Sequence, residues 1–220
     1  MKGRLIVIEG LDGSGKATQT DLLYKYITNK NVKCTRLSYP NYDSDSSALV
    51  KMYLSGELSD SAQGVSAYAA AAFYAVDRCA DYLKYHKQRY ENGELFLSDR
   101  YATSNAIYQT AKLPKDEWDD FLDWLEDFEY IKLGVPKPDS VIYLDMGVNV
   151  SQKLLEKRYK DGGKKDIHEL DTEFLKKCRE AALYCANHYG WQYIKCDNGH
   201  EPRAIEDISA EIIGIADLLL

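Results

Sequence analysis

The strongest restriction on the fold is a glycine-rich loop that stands directly between a buried strand and a helix. The segment RLIVIE at residues 4–9 is a short β-branched run typical of a buried strand. GLDGSGK at residues 10–16 follows at once and fits the pattern GxxxxGK. Glycines at this junction let backbone N–H groups surround a phosphate, and the start of the next helix adds partial positive charge. The order strand, loop and helix therefore predicts an α/β fold with a phosphate-binding loop, or P-loop.

Strands and helices alternate along the rest of the chain. Further strands are predicted at residues 32–38, 94–98, 140–146 and 191–196. Helices are predicted at residues 16–29, 61–90, 101–111, 115–131 and 172–188, with one more from about residue 151 and an amphipathic one at the C-terminus. This alternation predicts a single domain over residues 1–220, built on a five-stranded parallel sheet with helices on both faces. Ligands of such sheets bind beyond the carboxyl ends of the strands.

Charge and composition argue against several classes of function. The formal net charge is −7, with 28 Lys and Arg against 35 Asp and Glu, so no nucleic-acid partner is expected. No segment approaches the length of a membrane span, and the N-terminal apolar run is too short for a signal peptide. The five cysteines are scattered and form no CxxC pair. We therefore expect reduced thiols and a cytoplasmic protein that binds no membrane.

The P-loop supplies the candidate residues for the donor phosphates. They are Gly10, Gly13, Ser14, Gly15, Lys16, Ala17 and Thr18. Lys16 can bridge two phosphates and follow the charge that develops when one is transferred. The pattern normally has Ser or Thr after this lysine to bind Mg²⁺, whereas this chain has Ala17 and then Thr18. Three arrangements stay open: Thr18 replaces the hydroxyl, water replaces it, or substrate phosphates and Asp99 hold the ion.

Four blocks of sequence resemble the thymidylate kinase family along essentially the whole chain. They are EGLDGSGKATQ at residues 9–19, FYAVDR at 73–78, SDRYATSNAIYQ at 98–109 and PDSVIYLD at 138–145. The resemblance implies a P-loop kinase fold that transfers the γ-phosphate of ATP to dTMP, giving dTDP and ADP for dTTP synthesis. It also implies Mg²⁺ as cofactor, ATP and dTMP as small-molecule substrates, and a homodimer as a further expectation.

The resemblance gives roles to the acids and arginines around the P-loop. Arg100, which can form two parallel hydrogen bonds to a phosphate, would hold the acceptor phosphate near the transferred group. Asp99 would position Mg²⁺, directly or through water, and Thr18 is the other candidate metal ligand. Asp12, an acid inside the P-loop, would bind the 3′-hydroxyl of the deoxyribose. The candidate catalytic residues are then Lys16, Asp99, Arg100 and Arg158.

A predicted helix carries the candidate residues for the thymine base. Tyr74 and Arg78 are four residues apart and share a helix face. An aromatic face can stack on a pyrimidine, and an arginine can hydrogen-bond its carbonyl. The resemblance implies these roles for Tyr74 and Arg78, with Phe73 as the second candidate for stacking.

Three polar residues that follow Arg100 complete the predicted acceptor site. Asn105 offers both a donor and an acceptor to a base edge. The resemblance places Ser104 and Asn105 near the base. It places Tyr108 below the sugar, where a 2′-hydroxyl would clash, and so implies a preference for deoxyribose.

A basic, glycine-containing segment resembles the lid of the family. The stretch RYKDGGKK begins at Arg158, and the lid is predicted over about residues 158–169. Family members carry a catalytic basic residue either inside the P-loop, where this chain has Gly13, or in the lid. The chain therefore resembles the second type, with Arg158 as the candidate for charge stabilisation. Asp166 and Glu169 would order the lid.

Two departures from the family leave alternatives open. The family often has an arginine beside the proline that follows the second strand, but Pro40 lies between Tyr39 and Asn41. A second arginine on the acceptor phosphate is thus missing, and Lys51 is the candidate replacement. The alternatives to dTMP phosphorylation are a monophosphate kinase for another deoxynucleotide, such as dUMP, and a non-catalytic P-loop nucleotide-binding protein, which Ala17 suggests.

Overall fold

The fold is built on a central parallel sheet. The computed structural model describes residues 2–159 and 171–220, without the side chains of residues 62 and 157–159. The strands are β1 (Arg4–Gly10), β2 (Cys34–Ser38), β3 (Leu95–Asp99), β4 (Ser140–Asp145) and β5 (Gln192–Lys195). All are parallel and lie in the order β2-β3-β1-β4-β5. The predicted five-stranded parallel sheet is confirmed.

Helices connect the strands. They are α1 (Lys16–Asn29), α2 (Ala48–Leu54), α3 (Ala67–Asp81), α4 (Lys87–Glu91), α5 (Ala102–Tyr108), α6 (Trp118–Glu126), α7 (Val148–Tyr159), α8 (Thr172–Tyr189) and α9 (Ile205–Ala216). A π-helical turn at Tyr82–His86 joins α3 to α4, and a second at Asp127–Lys132 extends α6. Short 3₁₀ turns lie at Asp45–Ser47, Ala62–Gly64, Thr110–Lys112 and Lys115–Glu117.

The helices cover both faces of the sheet, each over its own apolar core. On one face, α1 and α9 pack side chains such as Leu23 and Ile208 against Ile6 of β1. On the other face, α5 and α8 pack against β4, where Ile107 lies close to Tyr143. Burying one such aliphatic side chain contributes roughly 1.5–3 kcal/mol. The two helical layers enclose the faces of the sheet. The carboxyl ends of its strands stay open for a ligand-binding site.

Local signals set the ends of two helices near the site. Ser66 caps α3, because its Oγ accepts a hydrogen bond of 3.2 Å from a backbone N–H of the first turn. The helix therefore begins at Ala67 and not at residue 61 as predicted. Asp171 caps α8 in the same way at 2.9 Å, and Gly190 ends it in the left-handed conformation, with φ of 66°.

The prediction of one domain over residues 1–220 stays a prediction, because most of the proposed lid falls on residues 160–170, outside the described residues. Arg158 lies in the last turn of α7, and its side chain is outside the described part. Asp166 and Glu169 lie wholly outside it. Within the described ranges, no helix combines the length and apolar character that crossing a membrane requires.

Candidate active site

A cavity of about 720 Å³ opens at the carboxyl ends of the strands. The P-loop follows β1, Tyr39 follows β2, Arg100 follows β3, Met146 follows β4 and Pro202 follows β5, and all of them line it. The wall includes these predicted site residues: Asp12, Gly13, Ser14, Gly15, Lys16, Ala17, Thr18, Tyr74, Arg78, Asp99, Arg100, Ser104, Asn105 and Tyr108. Of the described residues predicted for the site, Gly10, Phe73 and the candidate replacement Lys51 lie outside the wall.

The P-loop holds Lys16 as a buried cation. Gly15 precedes α1 with φ of 88°, a left-handed conformation that glycine adopts without steric cost. The Lys16 Nζ donates to the backbone oxygen of Leu11 at 2.8 Å and lies 4.0 Å from Asp12 Oδ1. Burial lowers the pKa of Lys16 and the Arg100 cation adds to this, while Asp12 and neighbouring carboxylates act in the opposite direction. A phosphate oxygen beside this ammonium would compensate its lost hydration.

Gly13 is a position where the P-loop has no room for a side chain. Its φ of 79° is left-handed, and a Cβ at Gly13 would lie 2.7 Å from the backbone oxygen of Ser151 and 3.1 Å from Leu155 Cγ. Both neighbours belong to α7, which therefore packs directly over the loop. The absence of a basic side chain at this position, read from the sequence, thus has a steric reason.

Arg100 organises the acceptor side of the cavity. Its φ of 66° is rare for a residue that carries a side chain, and such conformations cluster at functional sites. The guanidinium pairs with Asp12, and its Nη1 donates to Ser104 Oγ at 3.3 Å. The Tyr108 hydroxyl donates to the other Asp12 oxygen at 3.0 Å. Because burial raises the pKa of Tyr108 well above its ordinary value, the phenol stays protonated as this donor.

Glu9 connects β1, the strand before the P-loop, to α5 through hydrogen bonds. Its Oε2 accepts from the hydroxyls of Thr103 and Ser104, both at 2.8 Å, and its Oε1 accepts from the Gly10 N–H at 2.9 Å. The carboxylate is fully buried, and Arg100 Nη1 lies 3.9 Å from Oε1. The sequence does not predict a role for Glu9, although a charged residue that ends an apolar strand is a signal that could have identified it.

Arg78 stands in the cavity wall as half of a buried ion pair. Its Nε donates to Glu129 Oε2 at 3.1 Å and its Nη2 to Oε1 at 2.5 Å. The two side chains are 2% and 0% exposed. The rings of Tyr39 and Tyr101 both lie beside the guanidinium, with centroids 5.7 and 5.3 Å from its Cζ. Burial opposes the charge on Arg78, but Glu129 outweighs it and raises the pKa of Arg78.

The two aromatic candidates for stacking are placed differently. Tyr74 lines the cavity and meets the ring of Tyr53 edge to face, with centroids 6.3 Å apart. Phe73 packs against the same Tyr53 at 6.4 Å but outside the cavity wall. Asn105 donates through Nδ2 to a backbone carbonyl of α3 at 3.0 Å and to Glu129 at 3.1 Å. Glu129 therefore orients both Arg78 and Asn105, and the sequence does not predict it.

Oxygen donors suited to Mg²⁺ line the same cavity. Thr18 is exposed in the first turn of α1, Asp99 is half-buried at the end of β3, and Ser14 Oγ is buried without a hydrogen-bond partner. Over residues 2–159 and 171–220, no three His, Cys, Asp or Glu side chains cluster as a metal site. Mg²⁺ often takes only one or two carboxylates and completes its shell with water and phosphate oxygens. The residues present fit that mode of binding.

Gln109 is a further cavity residue whose role the sequence does not predict. Its side chain is 1% exposed, and its Oε1 has no hydrogen-bond partner. Lys51, by contrast, is exposed on α2 and is not part of the described cavity wall. The structure therefore gives no support to Lys51 as the replacement for the missing arginine.

The chain is similar to known proteins over nearly its whole length. The sequence-family model described as Thymidylate kinase matches residues 8–211. The probable thymidylate kinase of Thermococcus gammatolerans is 30% identical over 219 residues, which cover 98% of this chain and 96% of that protein. The thymidylate kinase of Plasmodium falciparum is 29% identical over 96% of this chain and 89% of that protein. That of Mycobacterium tuberculosis is 30% identical over 82% and 83%.

The likeness extends to a solved structure of thymidylate kinase from Candida albicans. The TM-score is 0.70 at 21% identity, and the match covers 99% of this chain and 92% of that one. The predicted P-loop kinase fold is confirmed by this match, and the resemblance stated from sequence is confirmed by the family model and the relatives. The chain therefore belongs to the thymidylate kinase family and is an ATP-dependent nucleoside monophosphate kinase.

Proposed function

We propose that this kinase transfers the γ-phosphate of ATP to dTMP, giving dTDP and ADP in dTTP synthesis. The observation that carries the proposal is a single cavity wall that combines the P-loop lysine, Arg100 beside Asp12, and Arg78 near Tyr74. The lysine suits a donor phosphate, Arg100 an acceptor phosphate and Arg78 a base. A P-loop protein that only bound nucleotide would leave the position of both arginines in the cavity wall unexplained.

On the donor side, the P-loop from Gly10 to Thr18 would cradle the phosphates of ATP with its backbone N–H groups. Lys16 would bridge the two terminal phosphates and follow the charge that develops on the transferred group. Its burial makes this contact strong, because few waters compete for the ammonium.

On the acceptor side, Arg100 would hold the phosphate of dTMP. The incoming phosphate competes with Asp12 for the guanidinium, and two anions repel each other. Asp12 is then available to accept a hydrogen bond from the 3′-hydroxyl of the sugar. Tyr108 would form the floor under the sugar, where a 2′-hydroxyl has no room.

The base would be read by donors and acceptors that match thymine. Thymine presents two carbonyl oxygens with an N–H between them. Arg78 would donate to a carbonyl, the buried Oε1 of Gln109 would accept from the N–H, and Tyr74 would stack on the ring. Cytosine presents an amine and an unprotonated nitrogen instead. An unmatched buried polar group costs about 1–3 kcal/mol, or roughly ten- to a hundredfold in preference.

The Thr18 hydroxyl and the Asp99 carboxylate would hold Mg²⁺, with substrate phosphates and water as its remaining ligands. When bound, the ion would neutralise phosphate charge during transfer. We assign the hydroxyl ligand to Thr18 because Ala17, at the usual position, has no hydroxyl.

We also infer a cytoplasmic setting and a homodimer. The five cysteines are unpaired, and all except the half-buried Cys79 are buried, which agrees with a reducing compartment. Exposed apolar side chains on α2 and α3, namely Leu49, Met52, Tyr68 and Val76, support association through these helices.

The test is an assay of ADP release with dTMP, dUMP, dCMP, AMP and ribothymidine monophosphate as acceptors. We expect the highest kcat/KM for dTMP, with dCMP about ten- to a hundredfold lower. Arg78→Ala should lose mostly dTMP efficiency and so narrow the gap between dTMP and dCMP. Lys16→Ala, with an unchanged melting temperature, should lose orders of magnitude in turnover and assign the activity to this site. ATP binding without ADP release in the presence of dTMP would favour the non-catalytic alternative.

A further inference from the structure

A loop beside the acceptor site is fastened to α3 by two buried aspartates. Asp77 and Asp81 stand one turn apart and are 1% and 5% exposed. Asp77 accepts from the Asn41 backbone N–H at 2.9 Å and from the Ser46 hydroxyl at 2.6 Å. Asp81 accepts from the Tyr39 hydroxyl and from the Asn41 side-chain amide, both at 2.8 Å. Four hydrogen bonds to charged acceptors therefore hold this loop in place.

Residues 39–46 form this loop, the clamp loop. His86 supports Asp81, because its Nε2 lies 3.1 Å from the Asp81 carboxylate. Burial acts to raise the pKa of Asp81, but hydrogen bonds from His86, Tyr39 and Asn41 outweigh it and hold the pKa below its ordinary value. Asp81 is thus a fixed anionic acceptor inside the fold.

The clamp loop reaches the base site through one aromatic ring. The Tyr39 ring lies 5.7 Å from the Arg78 Cζ, and its centroid is 5.9 Å from that of Tyr101, the other ring beside Arg78. Tyr39 and Pro40 also line the cavity. Tyr39 therefore connects Asp81, through its hydroxyl, with the guanidinium assigned to the base, through its ring.

We propose that Tyr39 and Asp81 are positioning residues for recognition of the thymine base. Their hydrogen bond holds the Tyr39 ring against Arg78 and so fixes the orientation of the guanidinium. The inference rests on the proposed role of Arg78. The inference also assigns a role to the residues that flank Pro40 in this chain, since both Tyr39 and Asn41 donate hydrogen bonds to Asp81.

The physical reason lies in how Arg78 is held. Glu129 binds the guanidinium through Nε and Nη2, while the rings of Tyr39 and Tyr101, whose centroids are 5.9 Å apart, lie together beside it. Without the bond to Asp81, the Tyr39 ring spends part of its time away from Arg78. The apparent affinity for dTMP then falls in proportion to the fraction of molecules that stay competent. A hydrogen bond to a charged group corresponds to roughly ten- to a hundredfold in such an equilibrium.

Tyr39→Phe is the direct test, because it keeps the ring and removes only the hydroxyl. We expect the KM for dTMP to rise about tenfold, while kcat and the KM for ATP stay within about twofold. The preference for dTMP over dCMP should shrink. Asp81→Asn, which keeps the shape of the acceptor and removes its charge, should produce the same pattern.

Tyr26→Phe is the matched control. The Tyr26 hydroxyl donates to Asp217 at 2.8 Å, the same distance as in the Tyr39–Asp81 bond. This bond joins α1 to the residue that follows α9, and Tyr26 does not line the cavity. Tyr26→Phe should lower the melting temperature no more than Tyr39→Phe does and should leave the KM for dTMP unchanged.

The outcomes separate this inference from the proposed function. A wild type that prefers dTMP, combined with a Tyr39→Phe enzyme whose kinetics match Tyr26→Phe, overturns the inference alone. Equal increases in the KM for dTMP and for ATP also overturn it, because they indicate general loosening. A folded wild type without preference for dTMP overturns the proposed acceptor and this inference together. Melting temperatures of all variants identify any that fail to fold, and Asp81→Asn then decides the case.

Discussion

Removing one partner of the Arg78–Glu129 pair should destabilise the protein far more than removing both. The side chains are 2% and 0% exposed and joined by two hydrogen bonds of 2.5 and 3.1 Å. Breaking a buried pair leaves an uncompensated charge and costs about 3–5 kcal/mol. In a chain of 220 residues, 1 kcal/mol shifts the melting temperature by about 2–4 °C. Glu129→Met should therefore lower it by roughly 6–20 °C.

The double variant Arg78→Met with Glu129→Met should recover much of that loss. Apolar replacements of similar volume are often neutral for a buried pair, so the two single effects should not add. Thermal unfolding followed by circular dichroism measures all three variants. Asp127→Met, which removes an exposed partner of Lys132 on the same π-helical turn, is the control and should cost less than about 1 kcal/mol. A Glu129→Met protein as stable as this control, or additive single effects, would refute the assigned burial and pairing.

Two further predictions concern the metal and the pH dependence of stability. Thr18→Ala should raise the Mg²⁺ concentration for half-maximal rate, and Ala17→Thr should lower it; an unchanged requirement in Thr18→Ala leaves water or Asp99 as the ligand. Burial lowers the pKa of Lys112 to about 7, although its amine donates to Tyr53 and to the carbonyl of Val65. The unfolded chain then binds one more proton between about pH 7 and 10.5, so wild-type stability should rise across this window by up to about 1.4 kcal/mol per pH unit. Lys112→Met should flatten this rise, and parallel melting curves for the two proteins across that range would contradict the assignment.

Features encoded in neighbouring residues were predictable from the sequence. The P-loop follows from glycine spacing between a strand and a helix, and the structure has β1 ending at Gly10 and α1 beginning at Lys16. The meeting of Arg100 with the P-loop agrees with the predicted parallel sheet, since β3 pairs with β1 and Asp99 is in register with Ile8. Neighbouring parallel strands bring their carboxyl ends to one edge of the sheet, so short motifs far apart in sequence meet there.

Features that depend on tertiary packing were not predictable. Helical spacing places Tyr74 and Arg78 on one face but says nothing of how deep that face is buried. Glu129 lies in a π-helical turn, a rare local form that no simple periodicity indicates, and it reaches an arginine on another helix. The clamp loop illustrates the same limit. The missing arginine beside Pro40 is visible in the sequence, whereas the two aspartates that fasten the loop become apparent only when α3 is packed beside it.

The packing of α7 on the P-loop bears on where the remaining catalytic charge comes from. Because a Cβ at Gly13 would lie 2.7 Å from the Ser151 backbone oxygen, no basic side chain can replace Gly13 while α7 is in place. Lys16 and Arg100 are in the wall already, but transfer of a phosphoryl group develops charge on several oxygens at once. Ser151 lies in the first turn of α7, and Arg158 follows seven residues later, about two helical turns or roughly 10 Å along the axis. The helix that excludes a basic residue at the position of Gly13 is thus the one that leads to Arg158, and this is why we propose that Arg158 acts from the lid.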